Sequence, residues 1–157
     1  MKEVTRRKYR ITDEEQSGRS HPYNENYLGH ACPTMGSLFE IGLLTMDADR
    51  FTQLFLQSRI PVAWENGNPA YLAGRSGAEL YMEITGQGNK GLTYREDPAA
   101  EYWCGCVYCY AQWHFGCSFR ELLSAMPVDE LLQLYHPLHE ADISKVMQRI
   151  GQCFRRE

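Results

Sequence analysis

Four of the six cysteines lie in one short segment, with a histidine among them: Cys104, Cys106, Cys109, Cys117 and His114. Zinc binds four thiolate or imidazole ligands in a tetrahedron, so residues of these types could form a metal site. On a helix, Cys106 and Cys109 share a face while Cys104 points well away, and the paired knuckles of structural zinc sites are absent. We therefore predict no metal here and interpret the thiols as small hydrophobic groups that fill a helix contact.

The segment HPLHEAD brings His136, His139, Glu140 and Asp142 together at a predicted helix junction. Residues of these types hold metals or shuttle protons in many enzymes. Their spacing is neither H-E-x-x-H nor its inverse, and Glu140 or Asp142 is well placed to cap the final helix. We favour a helix cap with hydrogen-bonded histidines, and an enzyme that uses His136, His139 and Glu140 stays open as an alternative.

Two further segments imitate catalytic motifs without their spacing. Gly74, Arg75, Ser76 and Gly77 resemble part of a nucleophile elbow, but the second glycine comes one residue too early and no strand precedes it. Ser76 instead has capping-box spacing with Glu79, which predicts a helix start. The GQGNKG segment lacks the spacing and the strand-loop-helix setting of a phosphate-binding loop. We therefore predict no catalytic residue and no cofactor, and we favour a binding protein over an enzyme.

The elements that position these residues are predicted to be helices. Asp97 as N-cap and Pro98 at the first helical position open a central helix that ends at Gly116. Its broad apolar face is formed by Tyr102, Trp103, Cys106, Val107, Tyr110 and Trp113. A helix that is apolar almost all round is usually buried in the middle of a bundle. The fold class is therefore predicted to be all-α, a compact bundle of about six or seven helices around this segment.

Apolar residues at helical spacing predict the other helices. Pro33 suits a first turn, Gly42 on the apolar side admits a close neighbour, and Asp47 or Asp49 precedes a second helix. Ser118 starts a later helix with a second capping box. The proline-rich loop that follows position 60 is expected to fold back against the helices, and a short hairpin in the glycine-rich loop 86–97 stays open.

Length and charge limit the class of protein. The chain has 157 residues and a net charge of −4, which suits one domain and disfavours a broad surface for nucleic acid. No apolar run reaches the roughly 18 residues that cross a membrane, and the start lacks an apolar signal core. We predict a cytoplasmic protein with reduced thiols and no membrane partner. Residues 1–26 are predicted to be a mobile charged arm and residues 27–157 a single helical domain.

The run EYWCGCVYCYAQWHFGCSFRELL resembles an uncharacterised family of gut Firmicutes and Actinobacteria, whose members read approximately Y-W-x-G-W-x-L-A-Y-Y-Q-W-x-T-G-x-S-F. The matching positions are Tyr102, Trp103, Gly105, Tyr110, Gln112, Trp113, Gly116, Ser118 and Phe119. Similarity continues through LYHPLHEADISK and FLQSRIPVAWENGNPAYLAGRSGAEL, so that about residues 26–152 are covered. The family pattern has tryptophan at the position of Cys106 and alanine at that of Cys109, and neither of these side chains binds a metal.

Members of this family resemble products of toxin-antitoxin-like operons that also encode a helix-turn-helix regulator and an ADP-ribosyltransferase-like toxin. The resemblance implies a non-enzymatic antitoxin or accessory protein whose candidate partner is the cognate toxin. Rigid aromatic residues dominate binding hot spots, so Trp64, Tyr71 and Arg75 on the proline-rich loop are the predicted partner-binding residues. The alternative that the two aromatic residues are simply part of the core stays open. A DNA-binding operon regulator stays open as an alternative, although its recognition helix would present Asp129 and Glu130 instead of basic residues.

Overall fold

The computed structural model describes residues 21–87, 92, 96–97 and 99–155, and within these ranges the chain is helical without strands. The all-α prediction is confirmed. A 3-10 helix at Glu25–Tyr27 precedes ten α-helices. These are α1 (Leu28–Thr45), α2 (Ala48–Gln57), α3 (Ile60–Glu65), α4 (Pro69–Leu72), α5 (Gly77–Thr85), α6 (Ala100–Phe115), α7 (Phe119–Ala125), α8 (Val128–Gln133), α9 (Tyr135–Leu138) and α10 (Ile143–Arg155). The possible hairpin at 86–97 falls mostly outside the described residues.

The number of helices exceeds the predicted six or seven because four of them are very short. Helices α3, α4, α8 and α9 have six residues or fewer, and the other six have seven or more. A proline begins or nearly begins α3 and α4, where its fixed φ favours a single helical turn. None of the helices in the described ranges is both long and apolar enough to span a lipid bilayer.

Most of the predicted helix ends are where the sequence placed them. Ser76 and Ser118 each form a complete capping box, Asp47 accepts a hydrogen bond from the backbone of Arg50, and Gly116 ends α6 with φ 63°. These signals are local, since each involves residues within one turn of the cap.

Two predicted helix starts are wrong. Helix α1 begins at Leu28, so Pro33 lies inside the helix instead of in its first turn. Helix α6 begins at Ala100 with Ala99 at the N-cap position and without a side-chain cap, so Asp97 is not the cap. Tertiary packing of a long apolar face therefore sets these starts more strongly than the local cap signals do.

Helices α1 and α6 form the centre of the bundle, and glycines allow their backbones to touch. A Cβ atom built on Gly105 would lie 2.4 Å from the carbonyl oxygen of Met35 and 2.7 Å from Cα of Gly36. Most side chains of α6 are buried, which confirms the predicted central helix. One stripe of α6 stays partly exposed, and it consists of Trp103, Cys106, Tyr110 and His114.

Phenylalanine rings from three helices fill the space on the other side of α1. Phe39 meets Phe51 edge-on with ring centres 5.0 Å apart, and Phe55 meets Phe119 of α7 in the same way at 5.3 Å. The ring of Phe51 lies against Gly42, where a Cβ atom would be 2.2 Å from a ring carbon. The predicted close neighbour of Gly42 is therefore confirmed as the Phe51 ring.

The end of the predicted arm is part of the domain. Tyr23 is 8% exposed, and its carbonyl oxygen accepts a hydrogen bond from Nε1 of Trp113 at 2.8 Å. The ring of His21 stacks on the Trp113 indole at 3.8 Å, and its Nδ1 lies 2.9 Å from the Trp113 carbonyl oxygen. His21 and Tyr23 therefore contact the domain, whereas Asn24, Glu25 and Asn26 are exposed. Residues 1–20 lie outside the described ranges, and the charged arm stays a prediction.

Candidate functional site

Two of the three predicted partner-binding residues are inside the protein. Trp64 is fully buried and donates its indole Nε1–H to the sulfur of Cys109 at 3.3 Å. Tyr71 is also buried, and its hydroxyl donates to the carboxylate of Glu83 at 3.1 Å. The prediction that they are surface anchors is wrong, because the short helices α3 and α4 turn both rings toward the core.

Arg75 contacts the same two residues, Tyr71 and Glu83. Its guanidinium lies 4.4 Å above the Tyr71 ring and forms an ion pair with Glu83. The hydrogen bond from Arg75 to Glu83 raises the pKa of the guanidinium. The side chain of Arg75 remains 36% exposed, so it is the one predicted anchor that a partner can reach, and its charge already has a partner in the fold.

The residues of the histidine corner lie at the surface of the protein. His139 stacks on Tyr135 at 4.3 Å, and its Nδ1 lies 2.7 Å from the Tyr135 carbonyl oxygen. Its Nε2 is 3.8 Å from the carboxylate of Glu140, which is 89% exposed, and His136 is also exposed. Asp142 accepts a hydrogen bond from the backbone of Ser144 at 2.8 Å. The predicted helix cap is therefore confirmed for Asp142.

Hydrogen bonds from Ser144, through its side chain and its backbone, lower the pKa of the Asp142 carboxyl group. In the described part of the chain, no three histidine, cysteine, aspartate or glutamate side chains converge to hold a metal ion.

A sulfur cluster lies between α1 and α6. The Cys109 thiol accepts from Trp64 and lies 3.7 Å from the Tyr23 hydroxyl, and the Cys106 thiol donates to the Cys32 carbonyl at 3.3 Å. Burial raises the pKa of Cys106 to about 12, so that this thiol is neutral at physiological pH. At Cys109 burial opposes ionisation, but hydrogen bonds from Cys32, Trp64 and Tyr23 outweigh it and lower the pKa. The cluster anchors the N-terminal segment to the two central helices.

Five partly exposed rings, which contact one another in a group of three and a group of two, form the surface that we call the aromatic face. Trp103 meets Tyr135 edge-on at 5.6 Å, and Tyr135 carries the stacked His139 ring. Tyr110, about two helical turns after Trp103, stacks on His114 at 6.0 Å. Each of these rings keeps part of its surface in solvent. The sequence pattern predicted that Trp103 and Tyr110 lie in the core. Their seven-residue spacing places both side chains on one stripe of the helix, and that stripe is partly exposed.

The surroundings of the aromatic face are acidic. Burial raises the pKa of the Tyr110 hydroxyl, and the charges of Glu25 and Asp142 add to this effect. Glu140 stands beside His139 on the same rim.

A second feature is an open cleft of about 330 Å³ where the N-terminal segment, α3, α6 and α7 meet. Its lining includes the carboxylates of Glu65 and Glu121, the amide of Gln112 and the hydroxyl of Ser118. The Ser118 hydroxyl is engaged with Glu121 in the capping box at 2.9 Å. Ser118 therefore serves as the N-cap of α7 at the edge of this cleft.

Comparison with protein families, with curated proteins and with solved structures found no match to this chain.

Proposed function

We propose that this chain is a non-enzymatic protein-binding module that receives its partner on the aromatic face. In the cell it would act in the cytoplasm as an antitoxin or accessory component of a toxin-antitoxin-like operon, with the cognate ADP-ribosyltransferase-like toxin as the partner. The observation that supports this function is the set of partly exposed rings formed by Trp103, Tyr110, His114, Tyr135 and His139.

Tryptophan and tyrosine rings are the side chains that most often dominate the free energy of protein association. Trp103 and Tyr135 hold each other edge-on, and His139 is fixed by its stacking on Tyr135 and by its contact with the Tyr135 carbonyl. Side chains that are already ordered lose little rotamer entropy when a partner covers them. The aromatic face therefore has both the residue types and the preorganisation of a binding surface.

The charge of the rim favours one kind of partner. Glu140 is almost fully exposed, and Asp142 and Glu25 lie near Tyr110. The whole chain has a net charge of −4. Complementary potentials speed encounter and exclude partners of like charge, so the contact surface of the toxin is expected to be apolar at its centre and basic at its edge.

Co-expression with the neighbouring toxin gene tests this proposal. We expect the wild-type chain to relieve toxicity and to co-purify with the toxin. The double variant Trp103→Ala with Tyr135→Ala should weaken binding at least about a hundredfold, because both anchors are truncated. Val62→Ala is the matched control, since Val62 is an exposed apolar side chain on α3 outside the aromatic face.

Circular dichroism and thermal unfolding of each variant separate loss of contact from loss of fold. Toxicity that is unchanged by the wild-type chain, together with no co-purification, would refute the proposal. A folded double variant that binds the toxin as tightly as the wild type would refute the assignment of the aromatic face.

A further inference from the structure

Cys32 of α1 and Cys109 of α6 face each other beside the closest contact between these two helices. Gly36 and Gly105 touch in that contact, where a Cβ atom on Gly105 would lie 2.7 Å from Cα of Gly36. Cys32 comes one helical turn before Gly36, and Cys109 comes one turn after Gly105. The helices run antiparallel, since the Cys106 thiol that follows Gly105 donates to the Cys32 carbonyl that precedes Gly36. The two cysteines are therefore paired in the register that the glycines set.

The two thiols are hydrogen-bonded to each other, and further donors lie at the Cys109 sulfur. Trp64 donates its Nε1–H at 3.3 Å, and the Tyr23 hydroxyl lies 3.7 Å away. At Cys109 burial opposes ionisation, but the bonds from Cys32, Trp64 and Tyr23 outweigh it and lower the pKa. The hydrogen bond to Cys109, together with burial, raises the pKa of Cys32. The pair therefore holds one proton between its sulfurs and gives up the other more easily, which supplies a thiolate.

The two sulfurs differ in their access to solvent. Cys32 is partly exposed, whereas Cys109 is fully buried. All six cysteines are free thiols, so both sulfurs are in the reduced state. A disulfide bond needs Cα atoms roughly 4 to 7 Å apart, a separation that facing residues beside a backbone-to-backbone helix contact can meet. A small oxidant therefore reaches the pair at Cys32, and Cys109 is the thiol already in contact with that sulfur.

We propose that Cys32 and Cys109 form a reversible disulfide bond when the chain meets a peroxide, which makes this helix contact a site of oxidative modification. The Cys32 sulfur, after losing its proton to solvent, attacks one peroxide oxygen and the O–O bond breaks. Cys32 becomes a sulfenic acid, and the leaving hydroxide takes the Cys109 proton to form water. The Cys109 thiolate then attacks the Cys32 sulfur, the S–O bond breaks, and the second hydroxide takes a proton from solvent. Two thiols are oxidised to one disulfide, and the peroxide is reduced to two molecules of water.

The bond changes the surroundings of Cys109. A neutral disulfide sulfur is a weaker acceptor than a thiolate, so the hydrogen bonds from Trp64 and Tyr23 lose strength. Tyr23 belongs to the N-terminal segment, whose hold on the two central helices is thereby reduced. A thiol reductant reverses the change by exchange. Intracellular disulfides are usually of this transient kind, so the proposal agrees with thiols that are reduced at rest.

Treatment of the purified, fully reduced chain with hydrogen peroxide tests this proposal. We expect the number of free thiols, counted after denaturation, to fall by two of the six and to recover with dithiothreitol. The oxidised chain should keep the mass of a single molecule on a non-reducing gel. Mass spectrometry after combined trypsin and chymotrypsin digestion should find a peptide with Cys32 joined to one with Cys109. Cleavage after Tyr108 separates Cys109 from Cys106 and so identifies the partner.

Cys32→Ala and Cys106→Ala form the matched pair of variants. Both thiols are partly exposed and lie in the same cluster, but only Cys32 belongs to the proposed bond. At equal peroxide exposure Cys32→Ala should lose at least about nine tenths of the disulfide, whereas Cys106→Ala should form it within about twofold of the wild-type rate. The Trp64 indole N–H resonance should shift on oxidation of the wild type and of Cys106→Ala. Circular dichroism checks that each variant is folded, and the peptide map of the wild type is decisive without any variant.

Unchanged free thiols, loss of thiols without a joined peptide, or a bond from Cys32 to any other cysteine would each overturn the proposal. The same holds if a folded Cys32→Ala variant loses two thiols as fast as the wild type. Because the experiment uses the chain alone, its failure leaves the aromatic face untouched, and a failed co-purification with the toxin leaves the disulfide untouched.

Discussion

Gly105 of α6 faces Gly36 of α1 so closely that a Cβ atom on Gly105 would lie 2.7 Å from Cα of Gly36. A Cβ atom on Gly36 would in turn lie 2.7 Å from the sulfur of Cys106. The two longest helices therefore meet backbone to backbone, with a thiol filling the remaining space. This contact sets the distance between α1 and α6, across which the Cys106 thiol bonds to the Cys32 carbonyl.

Gly105→Ala should lower the free energy of unfolding by about 3 kcal/mol, because the added methyl group meets backbone atoms that cannot move aside. The control is Gly29→Ala, also within α1, where a Cβ atom would have no neighbour within 4 Å. That change should raise the free energy of unfolding by up to about 1 kcal/mol through helix propensity. Urea unfolding measures both, and equal effects at the two sites would contradict the close contact.

Tyr108 and Tyr81 are both fully buried, but only one of their hydroxyl groups has a partner in the described structure. The Tyr108 hydroxyl donates to the Met126 carbonyl at 2.5 Å. Tyr108→Phe leaves that carbonyl unpaired and should cost about 1 to 3 kcal/mol of unfolding free energy. Tyr81→Phe removes an unpaired polar group and should be neutral or stabilising. Denaturant midpoints in the opposite order would show that the hydrogen-bond assignment is wrong.

Trp64→Phe should destabilise the fold by about 2 kcal/mol, because it removes the N–H donor to Cys109 and leaves a cavity. Val62→Ala, two positions earlier but 58% exposed, should change stability by less than about 0.5 kcal/mol. Thermal unfolding compares the two variants. Equal stability of the Trp64→Phe and Val62→Ala variants would contradict the burial of Trp64.

The cap of α10 predicts a specific pH dependence. Hydrogen bonds from Ser144 lower the pKa of Asp142 in the folded state, so the cap stabilises the protein above the unfolded-state pKa. This contribution is lost as the pH falls through the folded-state pKa, below about 4. Asp142→Asn keeps the acceptor oxygen and removes the titration, so its stability should fall less steeply in acid than that of the wild type. Parallel curves of unfolding free energy against pH would count against the cap.

The features that the sequence predicted are local ones. Ser76, Ser118 and Gly116 start or end helices through contacts within a single turn, and the apolar stripes of the longer helices follow from their spacing. The hydrogen-bond partner of Trp64 was not predictable in this way, since Cys109 lies 45 positions away in the chain. Periodicity identifies an apolar stripe but does not say whether another element covers it.

The candidate sites depend even more on long-range contacts. The aromatic face exists because α9 brings Tyr135 beside Trp103 and leaves both rings partly in solvent. The cleft requires Glu65 to meet the start of α7 and bond to Phe119, 54 positions later. Only the helix arrangement creates these pairs, so neither the aromatic face nor the cleft could be read from residue types and spacing.

Fluorine NMR of the chain labelled with 5-fluorotryptophan tests the proposed binding surface most directly. The protein has three tryptophans, of which Trp64 and Trp113 are buried while Trp103 lies on the aromatic face. Addition of the cognate toxin should shift the Trp103 resonance and leave that of Trp64 in place, with single Trp→Phe variants giving the assignments. A complex that forms while the Trp103 resonance keeps its position and its exposure to solvent would contradict the proposal.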